Sequence, residues 1–234
     1  MLLIYLPEIS SRCEYIFDFI FKQEFGIKYR TTTYITEFPT YAQEKINYSH
    51  SKISDEFFIK AAPLLFENEI KKHEIKIEQK HGIKVLCPNA DDDLGFDVFS
   101  SVFYLVSRYE EYLPFIPDEF GRFKAEDSLA LKNDFLQIPI VTLWITLFHA
   151  AFPPKFSSLQ IKSSEFNAIV TYDIDVAYKY LGRNFIRTLG GVLKNVAAFN
   201  FKDVYERIQV LLKGKKDSWD VYDHLEKMIS ENKL

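Results

Sequence analysis

The chain opens with a strand–helix–strand order, and this most constrains what it can fold into. Leu2 to Leu6 is a short apolar run stopped by Pro7, as a buried strand would be. Ser11 to Glu14 matches the S-x-x-E capping box, in which a hydroxyl and a carboxylate each satisfy an orphan backbone donor. Cys13, Ile16, Phe17 and Ile20 follow at helical spacing, and Gly26 supplies a C-terminal stop. Ile27 to Thr33, rich in Tyr and Thr, suits a second strand. The expected fold class is therefore α/β.

Further short strands are expected at Lys45–Tyr48, Phe57–Lys60, Glu74–Gln79 and Ile83–Cys87, with alternation clearest over His73–Glu78. The run Asp91-Asp92-Asp93 invites a calcium reading. It lacks the alternate oxygen ligands, central Gly and terminal Glu of a calcium loop, so a turn leading into a helix is expected. Asp97 is the N-cap of that helix, which runs to Leu113-Pro114. Phe115 to Asn133 reads as a long polar loop. Pro139 opens an apolar helix over Ile140–Ala151, and Pro153-Pro154 stops it. A boundary is expected in the aperiodic stretch Lys155–Glu165. It divides the chain into an N-terminal α/β domain (1–160) and a second segment (161–234). In the second segment, Phe166–Thr171 reads as a buried strand and the rest as helices. Gly190-Gly191 weakens or breaks the first of these, and Asp217 or Ser218 caps the last.

Composition enters by exclusion. Of the 234 residues, 47% are hydrophobic and 26% charged, values of a folded chain and not a disordered one. The net charge of −4 gives no nucleic-acid footprint. Cys13 and Cys87 cannot make a disulfide scaffold or a CxxC site and read as reduced thiols. The apolar start has no basic n-region or cleavage site, and the longest apolar run, Ile140–Phe152, is too short to span a bilayer. A cytoplasmic location is the expectation.

The sharpest chemical feature is Thr171-Tyr172-Asp173-Ile174-Asp175. On a strand, Asp173 and Asp175 face one side and Ile174 the other. Carboxyl ends of parallel strands line ligand sites in α/β folds, and two carboxylates there need a raised pKa or a metal. Three chemistries use such a pair: metal-dependent deacetylation, phosphate transfer to an Asp nucleophile, and diphosphate binding through a metal. Ala177 stands where the haloacid-dehalogenase phosphatases prefer Thr or Val, which disfavours the second.

The stretch FNAIVTYDIDVAYKY, Phe166 to Tyr180, resembles the first motif of the polysaccharide deacetylases, the NodB-homology enzymes of carbohydrate esterase family four. The chain resembles more narrowly a bacterial branch in which an uncharacterised N-terminal domain precedes the deacetylase domain. Phe96–Leu113, Gly121-Arg122-Phe123, Ser128–Asn133, Gln137–Trp144 and Leu189-Gly190-Gly191 carry that likeness. The resemblance implies a distorted (β/α) barrel and a divalent metal, usually zinc, held by one Asp and two His. The metal polarises an acetamide carbonyl and a second Asp acts as general base. Carried over by motif, Asp173 is the base and Asp175 the metal ligand. Ile174 separates two Asp that are adjacent in the usual motif, so the roles are exchangeable. The substrate implied is an N-acetylated glycan of a bacterial surface, or its precursor.

The family's H-x-x-x-H pair is missing among His50, His73, His81, His149 and His224, and only 59 residues follow Asp175. A metal site needs three or four protein ligands. The expectation is that Leu234 is a fragment end, that the zinc belongs to a longer protein, and that this chain alone does not catalyse. The competing expectation is a non-catalytic glycan- or protein-binding module. Two smaller readings complete the set. Arg108 and Arg122 tie the long loop to the preceding helix by ion pairs, and Lys213-Gly214-Lys215-Lys216 is a solvated helix end.

Overall fold

The computed structural model describes residues 1–152, 156, 161–162 and 169–232. It divides into two compact units, Met1–Ser164 and Glu165–Leu234. The class is α/β.

In the first unit, four strands form a parallel sheet in the order β2-β1-β3-β4: β1 (Leu2–Tyr5), β2 (Tyr29–Thr32), β3 (Lys45–Ser49) and β4 (Phe57–Lys60). Ile4 aligns with Thr31 on one side and Ile46 on the other, and Ile46 aligns with Phe57. Alternation then sends Leu2, Ile4, Ile46, Tyr48, Phe57 and Ile59 into one core. Three helices close it: α1 (Ser11–Phe17), α3 (Val98–Val106) and α5 (Ile140–Ala151), after the short α2 (Glu37–Thr40). α1 continues into wider π-type turns, Asp18–Glu24, ended by Gly26 at φ +66°. The core is ring-rich. Phe17, Tyr48 and Phe148 all meet Phe99, with ring centroids 4.9 to 5.3 Å apart.

The other sheet face buries Leu3, Asn47, Phe58 and, on α2, Phe38. β3 and β4 are joined by only residues 50–56, far shorter than the usual helical crossover between parallel strands. Glu56 makes this possible. Its carboxylate accepts from Asn47 Nδ2 (2.8 Å) and the Ile53 (2.8 Å) and Ser54 (2.6 Å) N–H groups, which fixes the loop. A hairpin, β5 (Ile77–Lys80) and β6 (Ile83–Leu86), forms the second sheet. The turn Ala125–Asp127 and α4 (Leu129–Lys132) lie inside the stretch expected to be loop.

Several expectations are corrected. α1 is capped by Ser10, whose side chain accepts from the Cys13 N–H at 3.0 Å; Ser11 is already the first helical residue. The alternating segment from His73 to Lys76 is not a strand, and β5 starts at Ile77. α3 ends at Val106, because Arg108 turns left-handed (φ 54°) into a separate 3-10 turn, Tyr109–Tyr112.

In the second unit, α6 (Phe185–Ala197), α7 (Phe201–Lys213) and α8 (Tyr222–Asn232) are the regular elements. α6 runs unbroken through Gly190-Gly191. Asp217 caps no helix. Its carboxylate accepts the N–H groups of Lys179 (3.0 Å), Tyr180 (2.7 Å) and Leu181 (3.2 Å) and so closes the turn before α6. Burial pushes this group up, but the backbone donors outweigh it and leave it below the usual carboxylate range.

Candidate functional site

Phe166 to Ala168 of the expected strand lie outside the described residues, and Ile169 to Ile174 join no sheet among those described. Among the described residues, no strand aims Asp173 and Asp175 to one side. Both carboxylates are exposed and make no hydrogen bond or ion pair with a described residue. Asp175 borders a hollow shared with Arg183, Asn184 and Arg187 at the start of α6, and Asp173 does not.

A divalent ion on these carboxylates needs further donors. No three His, Cys, Asp or Glu side chains converge among the described residues. The other charged residues lining the hollow with Asp175 are Arg183 and Arg187, whose cations repel a metal ion instead of helping to hold it. The residues present do not fit a zinc site.

The first unit holds two further clusters that bear on chemistry. One is Asp97, the N-cap of α3, which accepts from Ser100 N–H (3.0 Å), Ala62 N–H (2.7 Å) and Tyr48 OH (2.9 Å). Burial raises its carboxyl to about 6 against those donors, and the Tyr48 phenol is pushed well above its ordinary value. Asp97 is 1% exposed, and none of the clefts described here opens onto it. Its work is to bind the end of β3, the residues after β4 and α3 into one piece.

The other is a 580 Å³ cleft between the segment before β5, the Tyr109–Tyr112 turn and the following loop. Tyr104, Leu113, Phe115, Ile116 and Phe123 supply apolar walls; Lys72, Glu110, Asp127 and Lys132 bring charge. Glu110 gives one oxygen to the Leu129 N–H (2.7 Å), and burial raises its pKa despite that bond. The sequence missed this site because its walls come from three separated segments. Arg108 and Arg122 do not tie the loop to the helix as expected. Arg108 pairs with Glu111 in its own turn, and Arg122 with Asp118 in its own loop. The tie to the loop is the Glu110–Leu129 bond; the Tyr109 hydroxyl instead holds the segment before β5, accepting from Lys71 N–H and donating to Lys71 C=O, both at 3.0 Å.

The acidic run Asp91–Asp93 proves to be an edge cover. Asp93 accepts from the Phe58 N–H (2.8 Å) and Asp92 from the Lys60 N–H (3.0 Å), so β4 presents fewer open donors. Asp92 also accepts the Leu94 N–H (3.0 Å) and Gly95 N–H (2.5 Å), which makes the turn toward Asp97.

Fold and site define the first unit as a parallel-sheet α/β module with a wall-lined cleft. The chain belongs to the family of unknown function DUF7033, whose model matches residues 2–157. That range includes Phe96–Leu113 and Gln137–Trp144 and stops short of Asp173 and Asp175. No curated protein and no solved structure matches the chain. Among the described residues, no helix is long and apolar enough to cross a membrane.

Proposed function

We propose that the chain is the N-terminal part of a polysaccharide deacetylase-like protein that removes N-acetyl groups from a bacterial glycan or its precursor in the cytoplasm. The motif around Asp173-Ile174-Asp175 carries this reading. In it, Asp173 is the base and Asp175 the metal ligand. Both are unengaged by described neighbours and so free to be completed by donors from elsewhere. The 234 residues alone do not catalyse, and a zinc ion is a property of the longer protein. Sequencing the gene beyond the codon for Leu234, with zinc content and acetate release measured on its full product, tests this. A continuing frame with an H-x-x-x-H helix and acetate release lost in Asp173→Asn is expected. Acetate release by the 234-residue chain, or a natural product ending at Leu234, overturns it.

The cleft favours a second reading, in which the DUF7033 unit is a glycan-binding module. Aromatic walls with Glu110 and Asp127 suit stacked sugar rings and their hydroxyls. Saturation-transfer NMR with N-acetylated oligosaccharides is expected to show contact that Phe115→Ala weakens. Contact unchanged by that substitution sinks this reading.

A further inference from the structure

The turn after α3 brings two unused polar groups to the 580 Å³ cleft, on Tyr104 and Glu110. Arg108, left-handed at φ 54°, turns the chain back, and the Tyr109 ring comes to lie 5.5 Å from the Tyr104 ring of α3. Glu110 follows, close enough that its charge adds to burial in raising the pKa of the Tyr104 phenol. Tyr104 therefore keeps its proton and stands as a donor. The residue is only 6% exposed, yet its hydroxyl has no hydrogen-bond partner among the described residues. Glu110 gives one oxygen to the Leu129 N–H, and its other oxygen has no partner among the described residues either. Polar groups buried this far are normally satisfied by protein, water or ligand.

A donor and an acceptor near each other, in a cleft walled by Leu113, Phe115, Ile116 and Phe123, discriminate among ligands. A carboxylate is repelled by Glu110 and has no proton to give it. An ammonium group can pair with Glu110 but offers Tyr104 no acceptor, and losing its water against apolar walls is costly. Lys132 already acts on Glu110 with positive charge, which weakens the call for a second cation. A hydroxyl can give and take a proton but leaves the apolar walls unfilled. A secondary amide with a small apolar end meets every wall. Its N–H suits Glu110, its C=O suits the Tyr104 hydroxyl, and its methyl suits the Phe115 and Phe123 rings, whose centroids are 5.2 Å apart.

We propose that this cleft recognises the acetamido group of an N-acetylated sugar, with Tyr104 and Glu110 setting the specificity. This rests on the glycan-binding reading of the cleft and names the part of the sugar that is read.

The test is calorimetric titration of the full 234-residue chain with three β-1,4-linked trisaccharides that differ only at C2, built from N-acetylglucosamine, glucosamine and glucose. The acetamido ligand is expected to bind at least about tenfold tighter than either of the others. Tyr104→Phe keeps the aromatic wall and removes the hydroxyl. Glu110→Gln keeps an oxygen for the Leu129 N–H and turns the group offered to the ligand into a donor. Each variant should retain the parent's circular dichroism and lose most of the preference for the acetamido ligand. Equal affinity for all three sugars, still weakened by Phe115→Ala, leaves the glycan-binding reading standing and overturns this proposal. Tighter binding of the glucosamine ligand, or a preference untouched by both variants, overturns it as well. A peptide carrying acetyl-lysine that binds more tightly than the acetamido trisaccharide overturns the choice of a sugar. Absence of binding by any of the three sugars brings down the glycan-binding reading and this proposal together.

Discussion

Asp97 shows at the scale of one residue what burial does to a carboxylate that must also cap a helix. Its carboxyl rises from 3.8 to about 6 in the folded chain. The folded state thus favours the protonated form, and this contribution is complete below about pH 4 and lost as pH rises through 6. Glu56 works in the opposite sense. Burial raises it, but the Ile53 N–H, Asn47 and Ser54 donors more than offset this and bring it from 4.5 to about 2. Its contribution is complete above about pH 4.5 and lost as pH falls toward 2. Each shift corresponds to about 3 kcal/mol. Urea unfolding across pH should therefore peak near pH 4 to 5. Asp97→Asn should flatten the limb above the peak and Glu56→Gln the limb below. A limb between pH 4 and 6 that survives Asp97→Asn would mean that another group produces it. The adjacent glycines of α6 make a second residue-scale contrast. A Cβ on Gly190 meets nothing within 4 Å, whereas one on Gly191 would come 2.7 Å from the Arg207 guanidinium nitrogens. Gly190→Ala should stabilise α6 by about 0.5 to 1 kcal/mol, read as a rise in helical melting temperature. Gly191→Ala should lose that gain, since Arg207 is itself buried over the Tyr180 ring.

Elements were legible where one period dominates. β1, β3, β4 and α5 follow from apolar residues and from Pro139, and the half-buried edge strand β2 from its Tyr and Thr content, because strands and an amphipathic helix leave plain local signals. The end of α3 was not legible. It is made by Arg108 in a left-handed conformation that no glycine announces. Glu74 to Lys76 alternate like a strand, yet only Cys87 N–H to Lys76 C=O joins that stretch to the hairpin. The role of Asp91–Asp93 was equally hidden, since the strand edge they cover lies about thirty residues earlier in sequence. That role separates neighbours. Asp92→Ala leaves the Lys60, Leu94 and Gly95 N–H groups without their acceptor and should cost about 2 kcal/mol in urea unfolding. Asp91→Ala removes only an exposed pair with Lys60 and should leave the midpoint unchanged. Equal losses in the two variants would argue against edge cover. Of the candidate site, the Asp173-Ile174-Asp175 motif could be read locally. The setting of the two carboxylates could not, because it depends on which strands pair and which helices pack nearby.

At the scale of the whole molecule the two units differ in how much they bury. The first holds a continuous core from Leu2 to Phe156. In the second, Tyr180 and Val210 are the buried apolar side chains among the described residues, beside the buried Arg207 and Asp217. So little apolar burial offsets little of the entropy lost on ordering about sixty residues. Local opening in α6 and α7 should be cheap, and opening of β1 and β3 should approach the cost of global unfolding. Hydrogen exchange on the 234-residue chain should therefore find the amides of residues 185–213 exchanging at least about a hundredfold faster than those of β1 and β3. Exchange in α6 as slow as in β1 would show that this helix pair is held by more than the burial of Tyr180 and Val210, and the contrast between the two units would fall.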